Sequence, residues 1–188
     1  MKLLPLDAPG IFELAASWLA RKENYQWLDF GTGERGITPA LLKIMSQQDT
    51  HFMRVYTSDR DDTPIGICGL NRVNRTVRSA TFWGASGDKS FRSRGHGTLA
   101  GSRFLTFAFR TLGLNVIDTW VVEQNPSLRI VERLGFRYIG RQRQCHVIDD
   151  RHHDRLLFDL LASEHQELDE ERWRRTERSQ PRDAPEEH

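Results

Sequence analysis

Three strand-like segments follow one another with no helix between them, and this order limits the possible folds more than any other feature. They are "HFMRVYTSD" (51–59), "PIGICGLNRVN" (64–74) and "RSATFWGAS" (78–86), joined by short polar turns. Short turns connect antiparallel neighbours, whereas a doubly wound parallel sheet needs a helix after each strand. The pattern therefore predicts an α+β fold around one mixed sheet.

The remaining periodicities place helices before and after these strands. The predicted helices are "IFELAASWLARK" (11–22), "TPALLKIMSQ" (38–47), "TLAGSRFLTFAFRTLG" (98–113) and "PSLRIVERLG" (126–135). A further strand is predicted at 115–123, and a long hairpin at 136–148 and 153–162 around the turn "DDRH" (149–152). The pair His152 and His153 is expected in a solvated turn instead of a metal site. We expect one domain over 1–162 and a charged tail over 163–188, helical at first and disordered after Ser179.

Composition excludes several classes of protein. The chain has 188 residues, 38% of them hydrophobic, and a formal net charge of +1. These values predict a globular domain and give no overall charge for binding nucleic acid. No apolar run has the length of a membrane span. Two cysteines make no disulfide framework, and no Cys/His spacing predicts a metal site, so we expect a cytoplasmic protein without metal.

A first glycine cluster, "DFGTGERG" (29–36), contains Gly31, Gly33 and Gly36 as G-x-G-x-x-G. It resembles the first motif of S-adenosylmethionine-dependent methyltransferases, with Asp59 as a candidate ribose ligand. Asp59 lies further along the chain than the usual spacing of about 20 residues, and no alternation of strands and helices follows. A loop between two helices is the favoured interpretation, and the methyltransferase is kept as an alternative.

A second cluster, "RSRGHGT" (92–98), follows a predicted strand and precedes a predicted helix. Glycine lets a ligand approach the backbone closely, and unpaired N–H groups at a helix N-terminus favour an anion. Arg92 and Arg94 add positive charge. The cluster predicts a pyrophosphate site, with an ordinary glycine-rich turn as the alternative.

Arg92 to Gly97 also resembles the R/Q-x-x-G-x-G/A signature of the GCN5-related N-acetyltransferases (GNAT). "VEQNPSLRIVERLGFRYIG" (122–140) is similar to that family's second hallmark, and the final hairpin is similar to the Rim-type branch, which includes acetyltransferases of ribosomal-protein N-termini. The resemblance spans roughly Leu3 to Leu161. It implies a mixed, mostly antiparallel central sheet flanked by helices, and direct attack of a primary amine on acetyl-CoA.

The resemblance also implies a set of residues for the donor. Backbone groups of the strand and loop would hold the pantetheine and pyrophosphate, and one strand N–H would face the thioester oxygen, an interaction typically worth about 3 kcal/mol. The implied cofactor-binding residues are Trp83, Gly84, Ala85, Arg92, Ser93, Arg94, Gly95, His96, Gly97, Thr98 and Asn125.

Ser127, Glu123 and Asn125 are the predicted catalytic residues. Many family members carry a tyrosine as the acid where this chain has Val131, so Ser127 or a water is expected to protonate the thiolate. The amine must first lose a proton, and Glu123 is one candidate base. Further candidates are Asp29, Glu23, Glu34, His51 and His146. The segment from Asn125 to Gly135, the glycine of "GF", is one residue shorter than the spacing common in that family.

An aromatic loop is expected to bind the acceptor. Tyr25, Trp27 and Phe30, with Trp83, would form apolar walls, and Asp29 would attract a cationic amine. The acceptor is predicted to be a small amine, such as an amino sugar, or a peptide N-terminus, bound to a monomer or homodimer. A non-catalytic CoA-binding module is the remaining alternative.

Two further residues receive structural interpretations. Adjacent residues on a strand point to opposite faces, so Cys145 and His146 do not make a nucleophilic dyad, and Cys145 is expected to be a buried thiol. Tyr138, on the strand after the last helix, is expected to pack in the core.

Overall fold

A single sheet of seven strands forms the centre of the protein, in the order β1-β2-β3-β4-β5-β7-β6. The structure, a computed structural model, describes residues 1–31, 37–87, 89–91, 95–171 and 173. The strands are β1 (Leu3–Leu4), β2 (Phe52–Thr57), β3 (Pro64–Asn74), β4 (Ser79–Ser86), β5 (Val116–Val122), β6 (Arg137–Ile148) and β7 (Arg151–Leu161). The α-helices are α1 (Ile11–Leu19), α2 (Lys22–Tyr25), α3 (Pro39–Ser46), α4 (His96–Arg110) and α5 (Leu128–Arg133).

The three consecutive strands pair as their order predicts. Strand β3 is antiparallel to both β2 and β4, and among the strand pairs of the described residues only β4 and β5 run parallel. The turn between β3 and β4 is held by Asn74, whose side-chain oxygen accepts the N–H groups of Thr76 and Val77. The predicted α+β class with a mixed, mostly antiparallel sheet is confirmed.

Helices cover both faces of the sheet, and strand alternation divides the core between them. The face covered by α1 and α3, called the α1 face, includes Ala15, Trp18, Leu42, Met53, Val55, Ile67 and Trp83. The opposite face, covered by α4 and α5 and called the α4 face, includes Tyr56, Leu70, Phe82, Phe104, Ile117, Val121 and Leu160.

Strands β4 and β5 separate after a short pairing. They are hydrogen-bonded only from Ser79 to Thr81 against Val116 to Asp118, although β4 continues to Ser86 and β5 to Val122. The Thr119 hydroxyl donates to the Phe82 carbonyl at 2.9 Å, which marks the edge of β4 that faces the opening. Because backbone groups alternate along a strand, the N–H and C=O of Gly84 face the same opening. This separation positions the cleft described below.

Local boundaries differ from the predictions where short elements occur. The sequence gives no periodic signal for the two-residue β1 or the four-residue α2. Helix α4 begins at His96, two residues before the predicted start, because Gly95 adopts a left-handed backbone (φ 75°) and ends the preceding loop.

The final hairpin overturns three expectations about side chains. Tyr138 is 57% exposed, because β6 is an edge strand of the sheet, and its ring only touches the edge of Phe158. Cys145 is half-buried, and its thiol donates to the Gln142 carbonyl. His152 belongs to β7 and lies outside the turn.

His153 also lies in β7, so the solvated turn expected at the histidine pair is wrong, whereas the predicted turn "DDRH" is confirmed at its first two residues. The turn is formed by Asp149 and Asp150, which both adopt positive φ angles of 49° and 60°. Aspartate tolerates this conformation better than most residues, which explains why the chain reverses there.

The beginning of the tail is packed against α4. Residues 162–164 form a turn, residues 165–169 have no regular structure, and helical residues begin at Glu170. The helix expected in the first part of the tail stays a prediction. The Leu168 N–H donates to the Ser102 hydroxyl at 2.8 Å. The division of the chain at residue 162 stays a prediction, and residues after 173 lie outside the described part.

Gly66 provides a test of the packing beneath the cleft. Gly66 pairs with Tyr56 across β2 and β3, and a Cβ on Gly66 would lie 2.2 Å from the tyrosine ring. We expect Gly66→Ala to lower the free energy of unfolding by about 1–3 kcal/mol, because the ring must move. Gly140→Ala is the control, since nothing lies within 4 Å of its Cβ position. Equal urea-denaturation midpoints for both variants would contradict this packing.

Candidate active site

A cleft of about 1920 Å³ passes through the sheet where β4 and β5 separate. Its walls come from both faces. On the α4 face they include the start of α4 and the loop before α5, and on the α1 face they include the loop after α2. One cavity therefore connects a helix N-terminus with an aromatic pocket on the other side of the sheet.

The α4 face of the cleft begins with the N-terminus of a 15-residue helix. Gly95 is the N-cap, and the first intrahelical bond runs from the Leu99 N–H to the Gly95 carbonyl at 3.0 Å. The N–H groups of His96, Gly97 and Thr98 therefore have no acceptor within the helix. These residues, which were predicted to bind the cofactor, line the cleft, and the helix dipole favours an anion beside them. Arg92, Ser93 and Arg94 lie outside the described residues.

His96 is fixed by a carboxylate. It is 6% exposed, and its Nε2 lies 3.0 Å from Oδ1 of Asp59. Asp59 follows β2 and was a candidate ribose ligand in the methyltransferase alternative. In the structure, Asp59 instead contacts His96 of the second glycine cluster across the entrance of the cleft.

The free edge of β4 forms the next part of the wall. Trp83, Gly84 and Ala85 line the cleft, as predicted. Gly84 is exposed, and its backbone groups face the opening between the strands. The Trp83 side chain lies on the α1 face, where its Nε1 donates to Asn71 at 2.9 Å.

Tyr56 is a cleft residue that sequence reasoning missed. Its hydroxyl oxygen lies 3.5 Å from the Ala85 carbonyl. A Cβ on Gly97 would lie 3.6 Å from the same tyrosine hydroxyl. Tyr56 therefore links the β4 edge to the first turn of α4. Gly66 in the neighbouring strand could have indicated this position, because the absence of a side chain there makes room for the tyrosine ring.

The loop before α5 presents Asn125 and Ser127 to the cleft. The Asn125 side-chain oxygen accepts the Ser127 N–H at 2.9 Å, and the Asn125 N–H donates to Val122 at 2.8 Å. These bonds hold the backbone of the loop at Ser127, whose hydroxyl has no hydrogen-bond partner among the described residues. Val131 lies behind it and is buried.

Glu123 does not line the cleft, although it was predicted as a base. Its carboxylate lies 3.6 Å from Nη1 of Arg141 and accepts the Asp154 N–H at 3.4 Å. The side chain is thus turned toward the final hairpin, because it lies where β5 ends beside β7. This position is unsuited to removing a proton in the cleft.

The α1 face of the cleft contains most of the predicted acceptor residues. Trp27, Asp29, Phe30 and Trp83 line it, and the rings of Phe30 and Trp83 meet edge to face at 4.9 Å. Tyr25 is the exception and is absent from the lining, because it belongs to α2 and precedes the turn into the loop.

Arg155 of β7 organises this face and was missed by sequence reasoning. Its guanidinium lies 3.8 Å from the centre of the Trp120 ring and donates to Oδ2 of Asp29 at 2.8 Å and to Nδ1 of His146 at 2.9 Å. The side chain is only 14% exposed. Asp29 and Arg155 are 126 residues apart in sequence, so no local pattern signals their contact.

These contacts engage two of the candidate bases. The hydrogen bond from Arg155 holds the pKa of the Asp29 carboxyl below its usual value, and the Gly31 N–H acts in the same direction. His146 accepts from Arg155 at Nδ1 and contacts the Gln26 carbonyl at Nε2, 2.7 Å away. That pattern requires a neutral ring protonated at Nε2, and burial lowers the pKa of His146 accordingly.

A cluster of polar side chains lies at the end of the cleft where β4 and β5 are still hydrogen-bonded to each other. Asp118 accepts from the Thr81 hydroxyl at 2.7 Å and from Nη2 of Arg72 at 3.4 Å. Alternation along the two strands places Thr81 and Asp118 on the α1 face with Trp83 and Trp120. Asp118 is therefore a second carboxylate on the α1 face of the cleft, beside the residues predicted to bind the acceptor.

Other kinds of site find little support in the described part of the chain. It contains no group of three or more His, Cys, Asp or Glu residues placed to hold a metal ion. None of its helices has the length and apolar character needed to cross a membrane. The methyltransferase alternative is wrong, because the sheet is mostly antiparallel instead of doubly wound. Gly33 and Gly36 of that motif lie outside the described residues.

Comparison with known families and proteins gives a consistent result. A family model described as "Acetyltransferase (GNAT) domain" matches residues 2–137. A putative ribosomal N-acetyltransferase of Bacillus subtilis, YdaF, is 33% identical over 101 residues, which are 53% of this chain and 53% of that protein. An uncharacterized N-acetyltransferase of Bacillus licheniformis, p20, is 28% identical over 105 residues, 55% of this chain and 58% of that protein. The chain thus spans about half the length of the curated relatives it matches.

Solved structures share the fold over most of the chain. The spermidine N-acetyltransferase of Vibrio cholerae in complex with CoA and spermine superimposes with a TM-score of 0.73 and 20% identity, over 87% of this chain and 96% of that one. A variant of the same enzyme gives a TM-score of 0.74 and 21% identity, with the same coverage of 87% and 96%.

Proposed function

The chain belongs to the GNAT acetyltransferase family, and we propose that it transfers the acetyl group of acetyl-CoA to a primary amine by direct attack. The observation that carries this proposal is the free edge of β4, which opens beside the N-terminus of α4. An extended pantetheine arm fits an unpaired strand edge, and a pyrophosphate fits unpaired N–H groups at a helix N-terminus.

Each part of the donor has residues suited to it. The N–H groups of His96, Gly97 and Thr98 would hold the pyrophosphate, and the Gly84 carbonyl, on the edge of β4 that faces the opening, would accept a hydrogen bond from the pantetheine. Acetyl-CoA supplies an activated thioester. The Gly84 N–H faces the opening and would donate to the thioester oxygen, where negative charge develops during attack. Ser127 would donate a proton to the departing sulfur, with Asn125 fixing the loop.

The source of the base is a separate question. Among the candidates, Glu123 lies outside the cleft, and Asp29 and His146 are engaged by Arg155. We propose that Asp118 receives the proton of the amine, directly or through a water, because it lines the α1 face where the acceptor would enter. Asp118 also contacts an arginine, but its contact with the exposed Arg72 is 3.4 Å long, against 2.8 Å between Asp29 and the half-buried Arg155. A non-catalytic CoA-binding module is the second candidate, favoured by Val131 in place of the tyrosine that would act as acid.

The charge balance on the α1 face limits the class of amine that the cleft would accept. The V. cholerae neighbour is solved with spermine, but here both Asp29 and Asp118 are paired with arginines, Arg155 and Arg72. Neither carboxylate offers unbalanced charge to a polyamine. The aromatic walls fit an acceptor with one amine on an apolar or sugar-like body, or a peptide N-terminus. A cytoplasmic location and a monomeric or dimeric state stay predictions.

The test is turnover on an amine panel, followed by the thiol released from acetyl-CoA. The panel contains amino sugars, aromatic monoamines, short peptides with free N-termini, spermidine and spermine. We expect release with a member of the first three groups and kcat/KM for the polyamines at least about tenfold lower, a difference of about 1.4 kcal/mol. Binding of acetyl-CoA without release on any amine would favour the non-catalytic module.

Removing Arg155 tests the acceptor pocket separately from the donor. Arg155→Met keeps the length of the side chain but leaves Asp29 and His146 without their shared donor. We expect KM for the acceptor to rise about tenfold, with KM for acetyl-CoA within about twofold, because only the α1 face is altered. Arg151→Met, at an exposed position of the same strand, is the control. An equal rise in both KM values would contradict the assignment.

A further inference from the structure

The C-terminal segment Glu164–Trp173 runs back along α4 toward the cleft. His165 lies near the end of α4, with Nε2 2.8 Å from the Thr106 hydroxyl and its ring 5.3 Å from that of Phe109. Further along the segment, Leu168 is bonded to Ser102 at 2.8 Å, and Glu170 pairs with Arg103. The direction of the segment is therefore opposite to that of the helix.

Three residues on one face of α4 contact this segment. Ser102, Thr106 and Phe109 follow a spacing of four and then three residues, so they lie on one face of the helix. Ser102 is buried although its hydroxyl is polar, and the tail supplies its partner. The tail thus lies against Ser102, Thr106 and Phe109 of α4.

The segment ends with Trp173 at the helix N-terminus. A Cβ on Gly95 would lie 2.6 Å from the indole Nε1, so the absence of a side chain there leaves room for the indole. The guanidinium of Arg133, at the end of α5, lies 5.4 Å from the centre of the ring. Trp173, Gly95 and Arg133 all line the cleft.

Two buried nitrogens at this end of the cleft are without partners in the described part of the chain. They are Nε1 of Trp173 and Nδ1 of His96, and the His96 side chain is 6% exposed. Buried polar atoms are normally hydrogen-bonded, so a pair of unsatisfied ones beside a helix N-terminus indicates that a ligand completes the site. An indole N–H is a donor only, which suits an anionic oxygen.

We propose that Trp173 is a binding residue for the nucleotide part of the acyl donor, delivered by the C-terminal segment. The indole N–H donates to a phosphate oxygen held at the start of α4, and the accessible part of the ring stacks on the adenine. Arg133 adds positive charge beside the phosphates. The inference rests on the proposed function, because it assigns the nucleotide end of the same donor site.

Three ligands separate the two ends of the donor: CoA, adenosine 3′,5′-bisphosphate, which has no pantetheine, and S-acetylpantetheine, which has no nucleotide. We expect Trp173→Ala to raise Kd about tenfold for CoA and for the bisphosphate, measured by titration calorimetry, and to leave Kd for S-acetylpantetheine within about twofold. Trp173→Phe, which keeps a ring but loses the N–H, is expected to fall between wild type and Trp173→Ala for CoA.

Two results of these titrations would overturn the inference. Unchanged or tighter binding of CoA by Trp173→Ala overturns the inference, and so does an equal loss for all three ligands, which would mean a general structural role. Melting midpoints of both variants record whether the fold is retained. A wild-type protein that binds neither CoA nor acetyl-CoA would overturn the proposed function itself, whereas normal wild-type binding with an unaffected variant overturns only the role of Trp173.

Discussion

Gly97→Leu is expected to abolish binding of acetyl-CoA while the chain remains folded. A Cβ at this position would meet only Tyr56 Oη at 3.6 Å and Ile130 Cδ1 at 3.7 Å, which is ordinary contact. The rest of the leucine side chain must then extend into the cleft beside the free N–H groups of α4. We expect Kd to rise at least about 100-fold, or about 2.7 kcal/mol, in titration calorimetry.

A graded series makes this result specific. Gly97→Ala adds only the tolerated Cβ and is expected to weaken binding less than Gly97→Leu. Gly140→Leu, at an open position of β6, is the matched control and is expected to bind like wild type. Wild-type affinity in a folded Gly97→Leu variant would show that the donor does not occupy the start of α4.

Ser127→Ala is expected to lower kcat by about 100-fold, at the lower end of the range for loss of a general acid. The Ser127 hydroxyl lines the cleft, while the bond from its backbone N–H to Asn125 survives the substitution. The loop geometry is therefore retained, and KM for acetyl-CoA should stay within about twofold. Steady-state kinetics on the best amine of the panel provides the measurement.

Ser46→Ala is the control, because its hydroxyl bonds only to the Lys43 carbonyl at the end of α3. A change in KM without a change in kcat would assign Ser127 to binding. Unchanged kcat and KM together would leave protonation of the thiolate to a water.

The donor half of the site is predictable because its signals are local. The glycines of 92–98, the strand before them and the helical pattern after them are contiguous, and they place the free N–H groups of α4 in the cleft. The loop with Asn125 and Ser127 is similarly short. Local patterns also predict the three successive strands, since apolar alternation and turn residues fix each one separately.

The acceptor half depends on contacts that no local pattern encodes. Arg155 reaches Asp29 from the far end of the sheet, and β7 lies between β5 and β6. That strand order also exposes Tyr138 on an edge strand. The contacts of the tail are also non-local, because Ser102 and Thr106 of α4 supply specific partners for Leu168 and His165.

The most direct test of the account is the thermal melting midpoint with acetyl-CoA and, separately, with S-adenosylmethionine. A ligand present at 100 times its Kd stabilises the native state by about 2.7 kcal/mol, which gives a clear rise in midpoint. The account predicts a rise with acetyl-CoA alone, and its loss in Gly97→Leu. A rise with S-adenosylmethionine and none with acetyl-CoA would contradict the assignment of the cleft between β4 and β5 as an acetyl-CoA site.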